Sequence, residues 1–143
     1  MTIDIRPATT ATELGACFPV MLELRPHLTN PTELIERVQR QSNQGYRMLA
    51  AWTGDAVVGA AGYRMQENLI RGRFCYVDDL VVAASHRRGG LGARLLDAVA
   101  VQARAEGIDR LVLDTALDNV FGQRFYFRYG MLPAAMRFNK VLG

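Results

Sequence analysis

Lysine is nearly absent from this chain: Lys140 stands alone against 16 arginines. That excludes a P-loop, whose phosphate-gripping lysine must follow a glycine and precede serine or threonine. Cysteine is scarce too. Cys17 and Cys75 lie far apart in apolar surroundings, so neither a disulfide framework nor a metal site is expected. No apolar run approaches the roughly 20 residues that span a bilayer. The opening MTIDIRPATT lacks the basic-then-apolar layout of a secretory signal. We therefore expect a cytoplasmic protein with no membrane partner. The arginines are scattered, without a basic helix or run, so the net charge of +3 does not by itself point to nucleic acid. Compositional bias explains the excess more simply, and a basic balance also suits a ligand bearing several phosphates.

The rest of the composition is ordinary for a globular protein. Half of the 143 residues are hydrophobic and 22% are charged. One domain, 1–143, is expected, long enough to bury roughly two-thirds of its unfolded surface. Ile3 to Arg6 alternates like a short strand, limited by Pro7. Thr9 or Thr10 can cap a helix running to about Arg25, and Pro26 to Asn30 is a break. Asn30 caps a second helix that has Pro31 at its first position. Strands are expected over Tyr46 to Trp52 and Ala56 to Met65, joined by a hairpin turn at Thr53-Gly54-Asp55. After a turn over Asn68 to Gly72 comes a third long strand, Phe74 to Ala83, rich in aromatic and β-branched residues.

The chain is organised around the loop and helix that succeed this strand. A polar turn, Ser85 to Gly89, leads into Leu91, Leu95, Leu96, Val99 and Ala103 at helical spacing, and Gly107 stops the helix. The first turn of a helix leaves backbone N–H groups unpaired at the positive end of its dipole. Gly89, Gly90 and Gly92 carry no Cβ, so a bulky anion can approach the backbone, and Arg87 and Arg88 add charge. A pyrophosphate fits such a place. A tight turn with two solvated arginines fits the residues equally well. Beyond it, Arg110 to Asp114 reads as a short strand, Asn119 to Tyr129 as a helix ended by Gly130, and Ala134 to Leu142 as a last strand.

Arg87-Arg88-Gly89-Gly90-Leu91-Gly92 resembles the Arg/Gln-x-x-Gly-x-Gly/Ala acyl-CoA loop of the GNAT N-acetyltransferases. In that family it comes after a strand ending much like Asp79-Leu80-Val81-Val82. The expected order, β-α-α-β-β-β-α-β-α-β, is the GNAT order too. Near the carboxyl end, Asn119, Phe125-Tyr126 and Gly130-Met131 resemble a second family region, with Gly122 where a small alanine is usual. The resemblance implies an α/β (α+β) fold with a mixed, mostly antiparallel sheet flanked by helices. It implies acetyl transfer from acetyl-CoA to a primary amine of a small molecule or peptide, by direct attack in a ternary complex. It places the cofactor on Arg87, Arg88, Gly89, Gly90, Leu91, Gly92 and Ala93, with Asn119 contacting it or capping its own helix. The pantetheine arm would pair with the strand edge Leu80, Val81, Val82.

By the same resemblance Tyr126 protonates the departing sulfur. A phenol of pKa about 10 is neutral at pH 7 and can donate to a thiolate. Tyr76-Val77-Asp78-Asp79 resembles the polyamine-acetylating branch, in which the first acid is a base acting through water, so Asp78 is the candidate. Strand alternation would put Asp78 and Asp79 on opposite faces. A salt bridge from Asp78 to Arg64, Arg71 or Arg73 is the plain alternative, and Asp79 or ordered water could serve instead. Glu23 to Asn30 and Gln66 to Arg73 are where such enzymes see their acceptor; Glu23 and His27 would meet a cationic amine there, or simply face solvent. An acyl-CoA-binding module without turnover, and an arginine-rich nucleic-acid binder, are the rival readings. Dimerisation through the last strands, common in the family, would give a homodimer; the residues leave it open.

Overall fold

The computed structural model describes residues 2–143. The elements run β1 (Asp4–Pro7), α1 (Ala11–Ala16), α2 (Phe18–Leu24), α3 (Pro31–Ser42), β2 (Arg47–Thr53), β3 (Ala56–Asn68), β4 (Gly72–Val82), α4 (Leu91–Ala105), β5 (Leu111–Val112) and α5 (Val120–Tyr129). A single 3₁₀ turn, Ala84–His86, joins β4 to the loop before α4. The chain divides into two compact units, Met1–Val112 and Leu113–Gly143. Among the described residues no helix is long and apolar enough to cross a membrane.

The first unit is a five-stranded sheet in the order β1-β2-β3-β4-β5. All neighbours are antiparallel except β4 and β5, which run parallel. Helices α1, α2 and α3 bury Leu14, Val20, Met21, Leu34 and Val38, and the junction of the first two buries Cys17, against Met48, Ala50, Ala60 and Val81 of the sheet. Helix α4 brings Leu91, Leu95, Leu96, Val99 and Ala103, each at most 3% exposed. It packs closely on β3: a β-carbon at Gly59 would stand 3.1 Å from Leu95 Cδ1 and 3.3 Å from Leu91 Cδ2. Each buried leucine of this kind contributes about 1.5–3 kcal/mol.

Caps fix where these helices begin. Thr10 accepts from the Glu13 amide while Glu13 reaches back to the Thr10 amide, a reciprocal box that closes the start of α1. Asn30 accepts from the Glu33 amide to start α3. The single helix expected up to Arg25 is instead two. Pro19 has no N–H to give to the carbonyl four residues back, so the first helix ends at Ala16 and α2 restarts at Phe18.

The second unit holds α5 as its one regular element. The last strand expected over Ala134 to Leu142 does not form; residues 131–143 carry no regular structure. A strand exists only by pairing, and its own unit contains no other strand. β5 is likewise shorter than expected, with only Leu111 and Val112 in register with Cys75 and Tyr76.

Candidate active site

The loop before α4 is shaped by its backbone. Arg88 and Gly90 both adopt the left-handed region, with φ of 72° and 78°. Gly90 is the N-cap and offers no side chain to the helix, so the first turn is uncapped. The first helical hydrogen bond runs from the Arg94 N–H to the Gly90 carbonyl at 3.1 Å. The Leu91, Gly92 and Ala93 amides therefore precede it, at the positive end of a 15-residue helix. A β-carbon on Gly90 would meet nothing within 4 Å and one on Gly89 only the His86 carbonyl at 3.8 Å, so both glycines leave the backbone open. Arg88 is exposed. Arg87 is partnered: its Nε donates to the Val82 carbonyl at 3.1 Å and its Nη2 lies 3.5 Å from Glu23 Oε1. The same Glu23 oxygen accepts the Ala84 N–H at 3.0 Å, so Glu23 on α2 ties down the loop.

β4 leads directly into this loop. Its parallel pairing with β5 ends at Tyr76 and Val112. Beyond that point β4 pairs only with β3, Leu80 facing Ala61, Val81 facing Ala60 and Val82 facing Gly59. Among the described residues no strand pairs with the other side of Leu80 to Val82. An open strand edge presents a row of N–H and C=O groups that an extended ligand can join.

At the point of parting, β4 carries a bulge. Gly62 faces Asp79 and Tyr63 faces Val77, which leaves Asp78 with no residue opposite. The alternation expected for the two carboxylates is broken here, and both belong to one polar cluster. Arg64 Nε donates to Asp78 Oδ2 at 3.0 Å and stacks its guanidinium 5.3 Å from the Tyr46 ring centre. Tyr46 in turn donates its hydroxyl to Asp79 Oδ2 at 2.6 Å. Arg25, at the end of α2, gives Nε and Nη2 to Asp79 Oδ1 at 3.0 and 2.8 Å. Gln41 completes the shell around Arg64 at 2.7 Å. Of the three arginines weighed for Asp78, Arg64 is the partner, while Arg73 lies by Glu106. Burial raises the Asp78 carboxyl above its usual value despite the Arg64 hydrogen bond. The Tyr46 phenol is pushed well up by burial and by the Asp79 charge. His27 is exposed.

In the second unit, Asn119 accepts from the Gly122 amide at 3.1 Å and gives Nδ2 to Thr115 Oγ1 at 2.9 Å. Of its two expected roles the cap is the one occupied. A β-carbon at residue 122 would collide with the Asn119 side chain, which explains glycine there. Gly130, at φ 97°, ends α5 with its N–H on the Phe127 carbonyl. Tyr126 sits edge-on to Phe125 with ring centres 5.3 Å apart. It is half-buried, and burial raises its phenol above the ordinary value.

An uncapped helix start beside an open strand edge is now joined by a sequence match: residues 11–131 fit the profile of the acetyltransferase (GNAT) family. The chain belongs to the GNAT acetyltransferases. It is 27% identical over 124 residues, 87% of each chain, to the uncharacterized N-acetyltransferase YhdJ of Bacillus subtilis (strain 168). Its fold matches that of a ribosomal-protein-alanine N-acetyltransferase from Brucella melitensis biovar Abortus 2308 at a TM-score of 0.83 with 18% identity, over 99% of this chain and 100% of that one. An aminoglycoside N-acetyltransferase, AAC(6')-Iy in complex with CoA, matches at 0.81 with 18% identity, over 97% and 95%.

The α/β GNAT fold expected from the motifs is the one found. Arg87 to Ala93 and Leu80 to Val82 are continuous in this GNAT chain, with Asp78 at the bulge of the same strand. Tyr126 and Asn119 belong to the second unit. Sequence reasoning missed Arg25, Tyr46 and Gly62. Gly62 alone gave a signal, because a glycine inside a strand often marks close approach by another group.

Proposed function

We propose that this GNAT chain is an N-acetyltransferase that moves an acetyl group from acetyl-CoA to a primary amine by direct attack in a ternary complex, and that residues 1–143 work as one catalytic domain. The observation carrying this reading is the uncapped start of α4 continuous with the open edge of β4. The Leu91, Gly92 and Ala93 amides, with Gly89 and Gly90 beside them, suit a pyrophosphate. Arg88, exposed, adds a charge, and Arg87 adds a second on leaving Glu23. The edge Leu80, Val81, Val82 suits a pantetheine arm, with a backbone N–H there to polarise the thioester carbonyl. When bound, acetyl-CoA supplies the activated acyl group.

The chain's own residues handle the protons. Asp78, with its raised carboxyl, takes through water the proton that the amine must lose. Tyr126 gives its phenolic proton to the departing sulfur; a raised phenol pKa keeps that proton in place at neutral pH. Asn119 contributes by capping the helix that carries Tyr126. The acceptor approaches from the side of Glu23 to Asn30 and Gln66 to Arg73, and the chain works in the cytoplasm on a small molecule or a peptide.

Support for the acyl-donor class comes from the family and from the CoA held by the aminoglycoside N-acetyltransferase of like fold. The test is release of free CoA thiol from acetyl-CoA over amines, amino acids, aminoglycosides and peptides. Turnover with one amine class is the expected result. Acetyl-CoA bound with heat, yet no acceptor used, would favour a binding module on the same fold.

A further inference from the structure

A bulge leaves backbone groups outside the regular ladder, and they need partners from elsewhere. At Asp78 the partner is Arg25. Its Nη2 donates to the Asp78 carbonyl at 2.9 Å, while Nε and Nη2 grip Asp79 Oδ1 at 3.0 and 2.8 Å. One guanidinium thus holds a backbone carbonyl and the carboxylate of the next residue. Because a peptide is planar and trans, fixing the Asp78 C=O also fixes the direction of the Asp79 N–H. Arg25 is itself anchored, its own N–H bonding to the Met21 carbonyl at 2.7 Å where α2 ends. The clamp sits at the place where β4 leaves β5, two residues after the last pair at Tyr76.

We infer that Arg25 is a positioning residue for acetyl transfer: by holding the Asp78–Asp79 peptide it sets the Asp78 carboxyl and the direction of the β4 edge, without touching either substrate. This rests on the acetyl-transfer reading above. Lysine is no substitute, because a compact ammonium cannot present two coplanar donors to a carboxylate and a third contact to the carbonyl. Misplacement of reacting groups by about 1 Å costs on the order of a hundredfold in rate. The loss therefore falls on kcat, while the pyrophosphate seat at α4 is left as it was.

The experiment compares wild type with Arg25→Gln and Arg25→Lys. It measures kcat and KM for the amine, calorimetric Kd for acetyl-CoA, thermal midpoints, and hydrogen exchange at the Asp79 and Leu80 amides. Both variants should lose roughly tenfold to a hundredfold in kcat, with a much smaller change in the acetyl-CoA Kd because the pyrophosphate seat is untouched, stay folded at the assay temperature, and exchange faster at Asp79 and Leu80. An unchanged kcat in Arg25→Gln overturns the inference. So does a parallel loss of fold, cofactor affinity and rate, which would make Arg25 merely structural. If wild type binds acetyl-CoA but turns over no amine, the acetyl-transfer reading fails instead. The exchange data then judge the clamp alone: unchanged exchange in Arg25→Gln refutes it, and faster exchange upholds it.

Discussion

Gly62 carries the account's most direct structural consequence. The Tyr46 ring crosses it to deliver the hydroxyl to Asp79, and a β-carbon at position 62 would overlap that hydroxyl and stand 2.8 Å from Cε2. Tyr46 is only 5% exposed, so it cannot step aside freely. Gly62→Ala therefore forces two losses. Overpacking a filled site costs about 1–3 kcal/mol. Losing a hydrogen bond to a charged carboxylate costs about 1.5–3 kcal/mol. Together, about 2.5–6 kcal/mol should vanish from a total of about 5–15 kcal/mol. At about 2–4 °C per kcal/mol for a domain near this size, the melting midpoint should fall by about 5–24 °C. Urea unfolding monitored by circular dichroism and by the fluorescence of Trp52 supplies the number. Tyr46→Phe alone should cost less, and Gly62→Ala added to it should cost less than in wild type, because the hydroxyl and its hydrogen bond are already gone, although the ring Cζ would still overlap the new β-carbon. A Gly62→Ala protein within about 0.5 kcal/mol of wild type, or strict additivity of the two changes, would refute the reasoning.

Asp78→Asn should lower kcat by about 10²-fold or more without moving the acetyl-CoA Kd. A base works only when deprotonated, and burial raises this carboxyl, so the wild-type rate should fall on acidification at a pH above the ordinary carboxylate range; the asparagine variant should lack that limb. A pH–rate profile reads both. Tyr126→Phe should lower kcat at constant Kd. Because burial raises the phenol above 10, no alkaline limb from Tyr126 should appear below that pH in stopped-flow rates. Gly90→Ala places an L-residue at a φ of 78°, so it should cost about 1–2 kcal/mol in urea unfolding and weaken acetyl-CoA in calorimetry.

The elements proposed to carry the cofactor were legible as elements because their signals are local. Glycines at a helix start, leucines at helical spacing and a β-branched strand each report on their own few residues, and β4, α4 and the Asn30 cap stand where those signals put them. The features hidden from the sequence are those that depend on distant neighbours. The bulge at Asp78 is a matter of register with β3, and alternation within β4 alone assigns the two carboxylates to opposite faces. Arg25 and Tyr46 meet Asp79 from 54 and 33 residues away, with no spacing to announce it. Pro19 was in plain view, and its missing N–H is reason enough to break a helix that the apolar spacing alone would continue. Ala134 to Leu142 shows the converse: a strand-like composition with no strand in its own unit to pair with.

Backbone amide spectra of the full chain, titrated with acetyl-CoA, address the central claim head-on. The account predicts saturable shifts at Gly89 to Ala93, at the start of α4, together with Leu80 to Val82 along the open edge of β4. Absence of binding, or shifts confined to other parts of the chain, would contradict it.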